Sequence, residues 1–241
     1  MAYFSDIHTH ILPGVDDGAK SISDSMSIID MAYNDGTRLI VCTPHYRGPY
    51  KKNTPEHLKS VFEDLKKISS HKYPDLKLYL GNEVYCEPDV SQKVYEGRAL
   101  TINDTYYCLL EFRTGTPVNY ILNGVSEMIR YGFTPIVAHV ERYEAFRNNF
   151  DLIYDVIEMG AYIQINADSV MGINGHKVKS YCKKILKENL VSFVASDTHN
   201  VDKRPPCLSD CYKKVSKKFG TEYADKIFYS NAEKIVENKS L

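Results

Sequence analysis

Asp6-Ile7-His8-Thr9-His10, followed by Asp17 in Ile11-Leu-Pro-Gly-Val-Asp-Asp17, is the stretch from which the fold can be read. Strand side chains alternate faces, so His8 and His10, two residues apart at a strand end, point the same way and can hold one cation through their imidazoles. Two imidazoles make half a metal site. The rest of the chain has to bring further ligands to the end of this first strand.

Beyond it, apolar strands and amphipathic helices alternate. Ile22, Met26, Ile29 and Tyr33 recur at helical spacing, and Gly36 stops that helix. Arg38-Leu-Ile-Val-Cys-Thr43 reads as a buried strand that ends in Pro44-His45. Thr54-Pro55 caps a helix with Leu58, Val61, Phe62, Leu65 and Ile68 on one face, and the strand over 77–80 ends at Gly81-Asn82-Glu83. A short helix over 88–96 leads to a strand over 106–110 and Glu111. Thr116-Pro117 opens the next helix, Gly132 stops it, and the strand over 134–138 runs into His139. A helix over 150–158, a strand over 162–166, a helix carrying Val178, Tyr181, Cys182, Ile185 and Leu186, and a strand over 191–195 lead to Ser196-Asp197-Thr198-His199. Residues 208–237 are helical, with Asn231 capping the last helix, and the basic cluster between Lys213 and Lys218 reads as a solvated face.

Seven such strand-helix units predict an α/β fold, a parallel sheet covered by helices. At 241 residues the natural closure is a single domain over 1–241, a distorted (βα)7 TIM-like barrel with its site at the C-terminal strand ends. Those ends carry His8, His10, His45, Glu83, Glu111, His139, Asp197 and His199, with Asp17 in the first loop. Each alone reads as an ordinary polar residue at a loop start. Together, at the ends of apolar strands, they form one rim. His57, His71 and His176 follow no such rule and are left out.

Carboxylates crowded into that rim would repel by about 4 kcal/mol per pair at ~4 Å and an effective dielectric of ~20, so a metal is expected there. Imidazole and carboxylate without thiolate suit Mn, Fe or catalytic Zn better than structural Zn or Ca. Arg142 and Arg204 follow His139 and His199 in the same loops and can fork onto phosphate oxygens. Alone, either is a surface ion pair; beside a cationic cluster, both call for a bound anion, and phosphate fits best.

Composition narrows the classes. Lys plus Arg (30) nearly equals Asp plus Glu (31), so no field of one sign draws in nucleic acid or an anionic membrane. The opening Met1-Ala-Tyr-Phe-Ser-Asp6 has no leader pattern and no apolar run approaches a membrane span, which predicts a cytoplasmic protein with no membrane insertion. The six cysteines show no Cys-x-x-Cys and read as reduced core thiols. None has arginine at the Cys-x5-Arg spacing of a thiolate phosphatase: Cys42 meets Gly48, Cys108 meets Thr114 and Cys211 meets Lys217.

The residues Asp6 to Gly18, Thr43-Pro-His45, Gly81-Asn-Glu83, Leu110-Glu-Phe112, His139-Val-Glu-Arg-Tyr143, Ser196-Asp-Thr-His199 and Arg204-Pro205 resemble the PHP (polymerase and histidinol phosphatase) superfamily. Within it the chain resembles the capsule-biosynthesis tyrosine-protein phosphatases of the CpsB/CapC/YwqE type. The resemblance implies three divalent ions, manganese foremost, with Fe, Zn, Co or Mg as alternatives. One ion would be held by His8, His10, Glu83 and Asp197, a second by Glu83, Glu111 and His139, and a third by Asp17, His45 and His199. Arg142 and Arg204 match the family's phosphate-binding arginines, while Asp197 and His199 assist catalysis through the metals. Val140, where proline is usual, and Asp168, where glycine is commoner, depart from the pattern without removing a ligand.

The implied activity is hydrolysis of phosphotyrosine by a metal-activated hydroxide. Its substrate would be the tyrosine-rich tail of an autophosphorylated bacterial tyrosine kinase that regulates capsule or exopolysaccharide synthesis. The loop Tyr46-Arg-Gly-Pro-Tyr-Lys-Lys52 reads either as a receiver for the phosphotyrosine ring or as solvated chain, and the helix after Gly18 as a surface for a homo-oligomer. Competing readings are another PHP phosphoesterase, either a histidinol-phosphate phosphatase or a nuclease, and a non-catalytic regulator that binds a phosphopeptide.

Overall fold

The structure, a computed structural model, describes residues 3–241; Met1 and Ala2 of the opening segment and the side chains of Lys51 and Lys52 lie outside the described residues. Strand β1 (Phe4–Thr9) is followed by helix α1 (Ile22–Asn34), β2 (Thr37–Cys42), β3 (His45–Tyr46), α2 (Pro55–Lys72), β4 (Lys77–Leu80), β5 (Glu83–Tyr85), α3 (Val90–Tyr95) and β6 (Tyr107–Glu111). Then come α4 (Val118–Arg130), β7 (Thr134–Val137), α5 (Glu144–Asn148), α6 (Leu152–Glu158), β8 (Tyr162–Asn166), α7 (Ala167–Met171), α8 (His176–Lys187) and β9 (Phe193–Ala195). The chain closes with α9 (Leu208–Phe219), α10 (Thr221–Asp225) and α11 (Asn231–Val236).

All described strand pairs are parallel, as helical crossovers require, and they form two curled sheets ordered β1-β2-β4 and β3-β5-β6-β7-β8-β9. The edges of β1 and β9 meet where Thr9 bridges Thr198 and the Asp197 amide donates to the His8 carbonyl at 2.9 Å. Two of the expected strands are each broken in two. Pro44 has no N–H and separates β2 from β3. Gly81-Asn82 separates β4 from β5, and the Asn82 side chain fills the gap by donating to the Pro44 carbonyl and accepting from the Leu100 amide, both at 2.8 Å.

Strand interiors bury, and so do the inward faces of the helices except at Ile68 of α2, which is exposed near the helix end. Ile7, Leu39, Val41, Leu109, Ile136 and Phe193 from five strands share one cluster, sealed at one end by Ile235 and Val236 of α11. Thr54 caps α2 with its side chain, as its position before Pro55 predicts. The expected cap at Thr116 does not form; Pro117 occupies the cap position of α4 without a side-chain bond. Asn231 is not a cap either, because α11 continues directly from the helical turn Lys226–Ser230 and the Asn231 side chain donates from Nδ2 to the Ser192 carbonyl instead. The six cysteines are free, five buried and Cys207 half-buried. Among the described residues, no helix is long and apolar enough to cross a membrane.

The loop after β1 is folded back on itself, with the Ala19 amide donating to the His10 carbonyl at 3.0 Å. Gly18 is forced by this approach, since a Cβ there would lie 1.9 Å from the His10 carbonyl oxygen. Gly18→Ala is therefore expected to destabilise the fold by about 1–3 kcal/mol through overpacking. Urea denaturation of the purified variant measures this.

Candidate metal centre

The rim residues come together. His8 and His10 end β1, His45 opens β3, Glu83 opens β5, Glu111 closes β6, and His139, Asp197 and His199 follow β7 and β9. All are buried except Asp17, whose side chain is 45 % exposed. Glu83 is the common neighbour: its carboxylate lies 2.7 Å from His45 Nδ1, 3.0 Å from His139 Nε2, 3.3 Å from His8 Nε2 and 3.4 Å from His10 Nε2. Asp197 Oδ1 stands 3.5 Å from His8 Nε2 and 3.4 Å from His10 Nε2. Donor atoms fall within 4.8 Å of one another in four overlapping sets: His8, His10 and Asp197; His8, Glu83 and His139; His45, Glu83 and Glu111; and His10, Asp17, His45 and His199.

Ring orientation shows which atoms are available. His8 donates from Nδ1 to Gln164 Oε1 at 3.2 Å, His10 from Nδ1 to Asp16 Oδ2 at 2.7 Å, and His199 from Nδ1 to the Asp197 carbonyl at 3.0 Å. Each proton so placed leaves Nε2 with a lone pair. His8 Nε2 and His10 Nε2 then face each other at 3.3 Å with two carboxylate oxygens beside them. Four lone-pair donors in such a space fit a divalent cation. His45 Nδ1 and Glu83 Oε2, although close, are buried without an aligned hydrogen bond, which also fits donors aimed at a shared ion.

Charge reinforces the fit. Burial lowers His139 and His199 to about 4, which keeps both imidazoles neutral. Burial and the neighbouring Glu83 push Glu111 up to about 7. Against its own burial, Glu83 is held well below the carboxylate range by His8 and His45, and His45 is lifted to about 9 chiefly by Glu83. Against their own burial, His8 is raised by Glu83 and Asp197, and His10 is raised well above the usual histidine value by Asp16, so the carboxylates draw positive charge into the cluster, as a cation between them would supply.

Arg142 Nη1 and Arg204 Nη2 reach the outer oxygen of Asp197 at 2.9 and 2.5 Å, and Arg204 Nη1 lies 2.9 Å from His199 Nε2. About a third of each arginine side chain is exposed on the rim. His57, His71 and His176 are exposed on α2 and α8.

Several residues escaped the sequence reading. Asp16, buried beside the expected Asp17, orients His10 and also accepts from the Gly18 and His45 amides at 2.9 and 3.1 Å. Gln164 accepts from His8 and from the His139 amide and donates to Asn166, which donates to the outer oxygen of Asp197 at 2.9 Å. Two amides inside the otherwise apolar Tyr162-Ile-Gln-Ile-Asn166 were the available signal. Arg47 donates from Nη1 to both Glu111 oxygens at 3.2 Å and lies 2.9 Å from His45 Nε2 through Nη2. Glu141, fully buried and pushed up to about 7 by burial, accepts from the Asn166 amide.

Residues 4–237 match the family model described as capsular polysaccharide synthesis, CpsB/CapC. The chain is 37% identical over 238 residues to the tyrosine-protein phosphatase CpsB of Streptococcus agalactiae serotype V, covering 97% of this chain and 98% of that protein. It is 33% identical over 236 residues to the tyrosine-protein phosphatase YwqE of Bacillus subtilis, covering 98% and 92% respectively. A solved structure from the work on YwqE of Bacillus subtilis and CpsB of Streptococcus pneumoniae, described as unique metal-dependent tyrosine phosphatases, superposes with a TM-score of 0.91 at 33% identity, over 98% of this chain and 95% of that one.

Asp16 lies in none of the four donor sets and fixes the His10 tautomer by accepting from its Nδ1. Its loss is expected to weaken metal binding about 10–100-fold, as removal of such supporting carboxylates does. Calorimetric titration of Asp16→Ala with manganese, beside the wild type, checks the value.

Proposed function

The chain belongs to the CpsB/CapC family of capsular polysaccharide synthesis, and on that premise we propose that it is a metal-dependent protein-tyrosine phosphatase centred on Glu83. The observation that carries the reading is the convergence of His8, His10, Glu83 and Asp197 through lone-pair atoms, with Arg142 and Arg204 both on the outer oxygen of Asp197.

In this reading His8, His10, Glu83 and Asp197 hold one cation, Glu83, Glu111 and His139 a second, and Asp17, His45 and His199 a third. Nitrogen and oxygen donors without thiolate favour manganese, with Fe, Zn, Co or Mg as alternatives. Bound there, such cations would lower the pKa of a coordinated water to about 7 and polarise the phosphoryl oxygens.

The chain's own groups do the rest. Arg142 and Arg204 present N–H forks from the rim, and a phosphoryl group can take them in pairs while charge spreads over its oxygens. Arg47 steadies Glu111 and His45 from the opposite side. The Tyr50 ring lies nearly parallel to His45, centroids 6.0 Å apart at 17°, and offers a flat neighbour for a phenyl ring. Phenolate is a good leaving group and needs little protonation.

The cysteines stand aside. Burial pushes Cys86, Cys108 and Cys207 up to about 12, which keeps them as thiols. We read residues 1–241 as one domain and the two sheets as a distorted seven-stranded barrel, with β2 and β3, and β4 and β5, each counted as one strand. We place its work in the cytoplasm on the phosphorylated tail of a bacterial tyrosine kinase, a reading with which the family's capsule-synthesis description is consistent only as regards the pathway.

Chelation is expected to abolish phosphotyrosine-peptide hydrolysis and added manganese to restore it, while replacing all six cysteines by alanine spares turnover in the folded protein. Peptide, histidinol phosphate and a single-stranded oligonucleotide assayed side by side discriminate the competing activities; preference for either of the last two overturns this reading. Arg142→Ala and Arg204→Ala should each lower kcat/KM by about 10²–10³ by removing donors to the developing charge, as steady-state kinetics would show. His8→Ala and Asp17→Ala should lose different metals, which metal content per chain reports.

A further inference from the structure

Helix α8 carries Lys177, Lys179, Lys183, Lys184 and Lys187 and no acid. Its neighbour α9 carries Lys213, Lys214, Lys217 and Lys218 with one acid, Asp210, which Lys213 takes at 2.9 Å. The two helices flank a shallow groove of about 50 Å³ with Leu186 and Val215 in it, Lys179 and Lys183 on one side and Lys214 and Lys218 on the other. No acid lines it. Burial and the facing Lys179 push Lys214 below the ordinary lysine value. The chain as a whole, with 30 basic and 31 acidic residues, has no field of one sign, but this face has gathered like charges without a counter-charge between them, which departs from its reading as merely solvated.

A second feature adjoins this face. Ile173, in the turn before α8, is 75% exposed, the most of the large hydrophobic residues among those described. The Lys179 side chain passes close to the neighbouring Gly172, where an added Cβ would lie 2.8 Å from Lys179 Cδ. An apolar side chain thus projects at the edge of the basic face.

We propose that the α8–α9 face, with Ile173 at its edge, docks the protein on an anionic lipid bilayer. Lysines are compact charges on flexible stems and fit a diffuse sheet of phosphate better than they fit a shaped ligand, for which arginine forks are suited. The groove is too shallow to enclose a ligand. Each lysine near an anionic surface strengthens adsorption about fivefold, and Ile173 adds apolar contact in the headgroup layer. Helix α9 follows β9, after which Asp197 and His199 stand, and α8 follows β8 and α7, where Gln164 and Asn166 support the centre. If the phosphatase reading holds, docking brings the site to substrates tethered to the bilayer; the docking itself does not rest on that reading.

Flotation of the full chain, loaded with manganese, tests the proposal. Vesicles of equal parts phosphatidylglycerol and phosphatidylcholine should carry the protein upward at about 0.1 M salt and release it at high salt, and pure phosphatidylcholine should leave it behind. Charge reversal at Lys179, Lys183, Lys214 and Lys218 should weaken binding about a hundredfold or more, and Ile173→Asp severalfold. Lys66→Glu with Lys67→Glu, on α2, should bind as the wild type does. Should the fourfold variant lose its circular-dichroism signature, Lys183→Gln with Lys218→Gln carries the same test. No binding to the anionic vesicles, undiminished binding by the folded lysine variants, or stronger capture by soluble polyglutamate would overturn the proposal, the last in favour of an acidic polypeptide. Turnover of a soluble phosphotyrosine peptide, measured in parallel, should be unchanged in every variant; its absence from the wild type as well would count against the phosphatase reading and leave the flotation result standing.

Discussion

Everything at the functional end of this molecule depends on one buried carboxylate. Glu83 is 1% exposed and lies within 3.4 Å of ring nitrogens from His8, His10, His45 and His139. An ionised carboxylate taken out of water costs several kcal/mol unless partners replace its hydration. Those partners come from β1, from β3 and from the turn after β7, so three separate strand ends must converge within reach of one side chain. The break at Gly81-Asn82 is where the chain meets that demand. There β4 stops pairing with β2, β5 starts pairing with β3, and Asn82 satisfies the two backbone groups left over, so Glu83 enters a second sheet.

Around this carboxylate the polar groups divide into two layers. The inner atoms, His8 Nε2, His10 Nε2, the Glu83 oxygens and Asp197 Oδ1, face one another with lone pairs. The outer groups, Asp16, Gln164 and Asn166, take the protons on the far side of the imidazoles and hold the second oxygen of Asp197. Neither layer is stable alone: inward lone pairs repel unless a cation joins them, and the outer bonds would not select one tautomer without a reason to expose Nε2. That mutual dependence supports reading the cluster as a metal centre more strongly than ligand count does.

The inner layer was legible because strand interiors here are apolar, so a histidine or acid at a strand end stands out against its own strand. Helix positions were legible for the same reason, through spacing and stop signals such as Gly36, which sits just past α1 at a φ of 107. The outer layer was much less so. Asp16 is indistinguishable by pattern from Asp17 beside it, and which of the two faces His10 depends on how the loop folds over Gly18. Gln164 and Asn166 lie on the strand that ends in neither histidine nor acid, and it is from that strand that the supporting amides come. The breaks in the second and third expected strands were also hidden, because a run such as Arg38 to Thr43 carries no mark of the sheet it pairs with.

Alternation explains why some site residues needed more than a strand end. Leu39, Val41, Leu109, Ile136, Ala138, Phe193 and Ala195 share the enclosed face of the strands. Continuing their period of two reaches His45, Glu83 (from the inward Tyr79), Glu111 and Asp197, although the strands break before His45 and Glu83 and Asp197 itself takes a left-handed φ of 55. His8 and His10 are out of step with inward Ile7, and His139 is out of step with inward Ala138. In both places the backbone departs from a regular strand. The pairing of β1 with β2 shifts register between Asp6 and Thr9, and His139 takes a left-handed φ of 34. A left-handed residue other than glycine costs about 1–3 kcal/mol and persists only where its surroundings over-determine it. Here the His139 amide is held by Gln164 at 2.8 Å and its ring by Glu83 at 3.0 Å. The irregular backbone is therefore a consequence of the buried charge: strands that kept strict alternation would have left Glu83 in the interior without His8, His10 and His139 to face it.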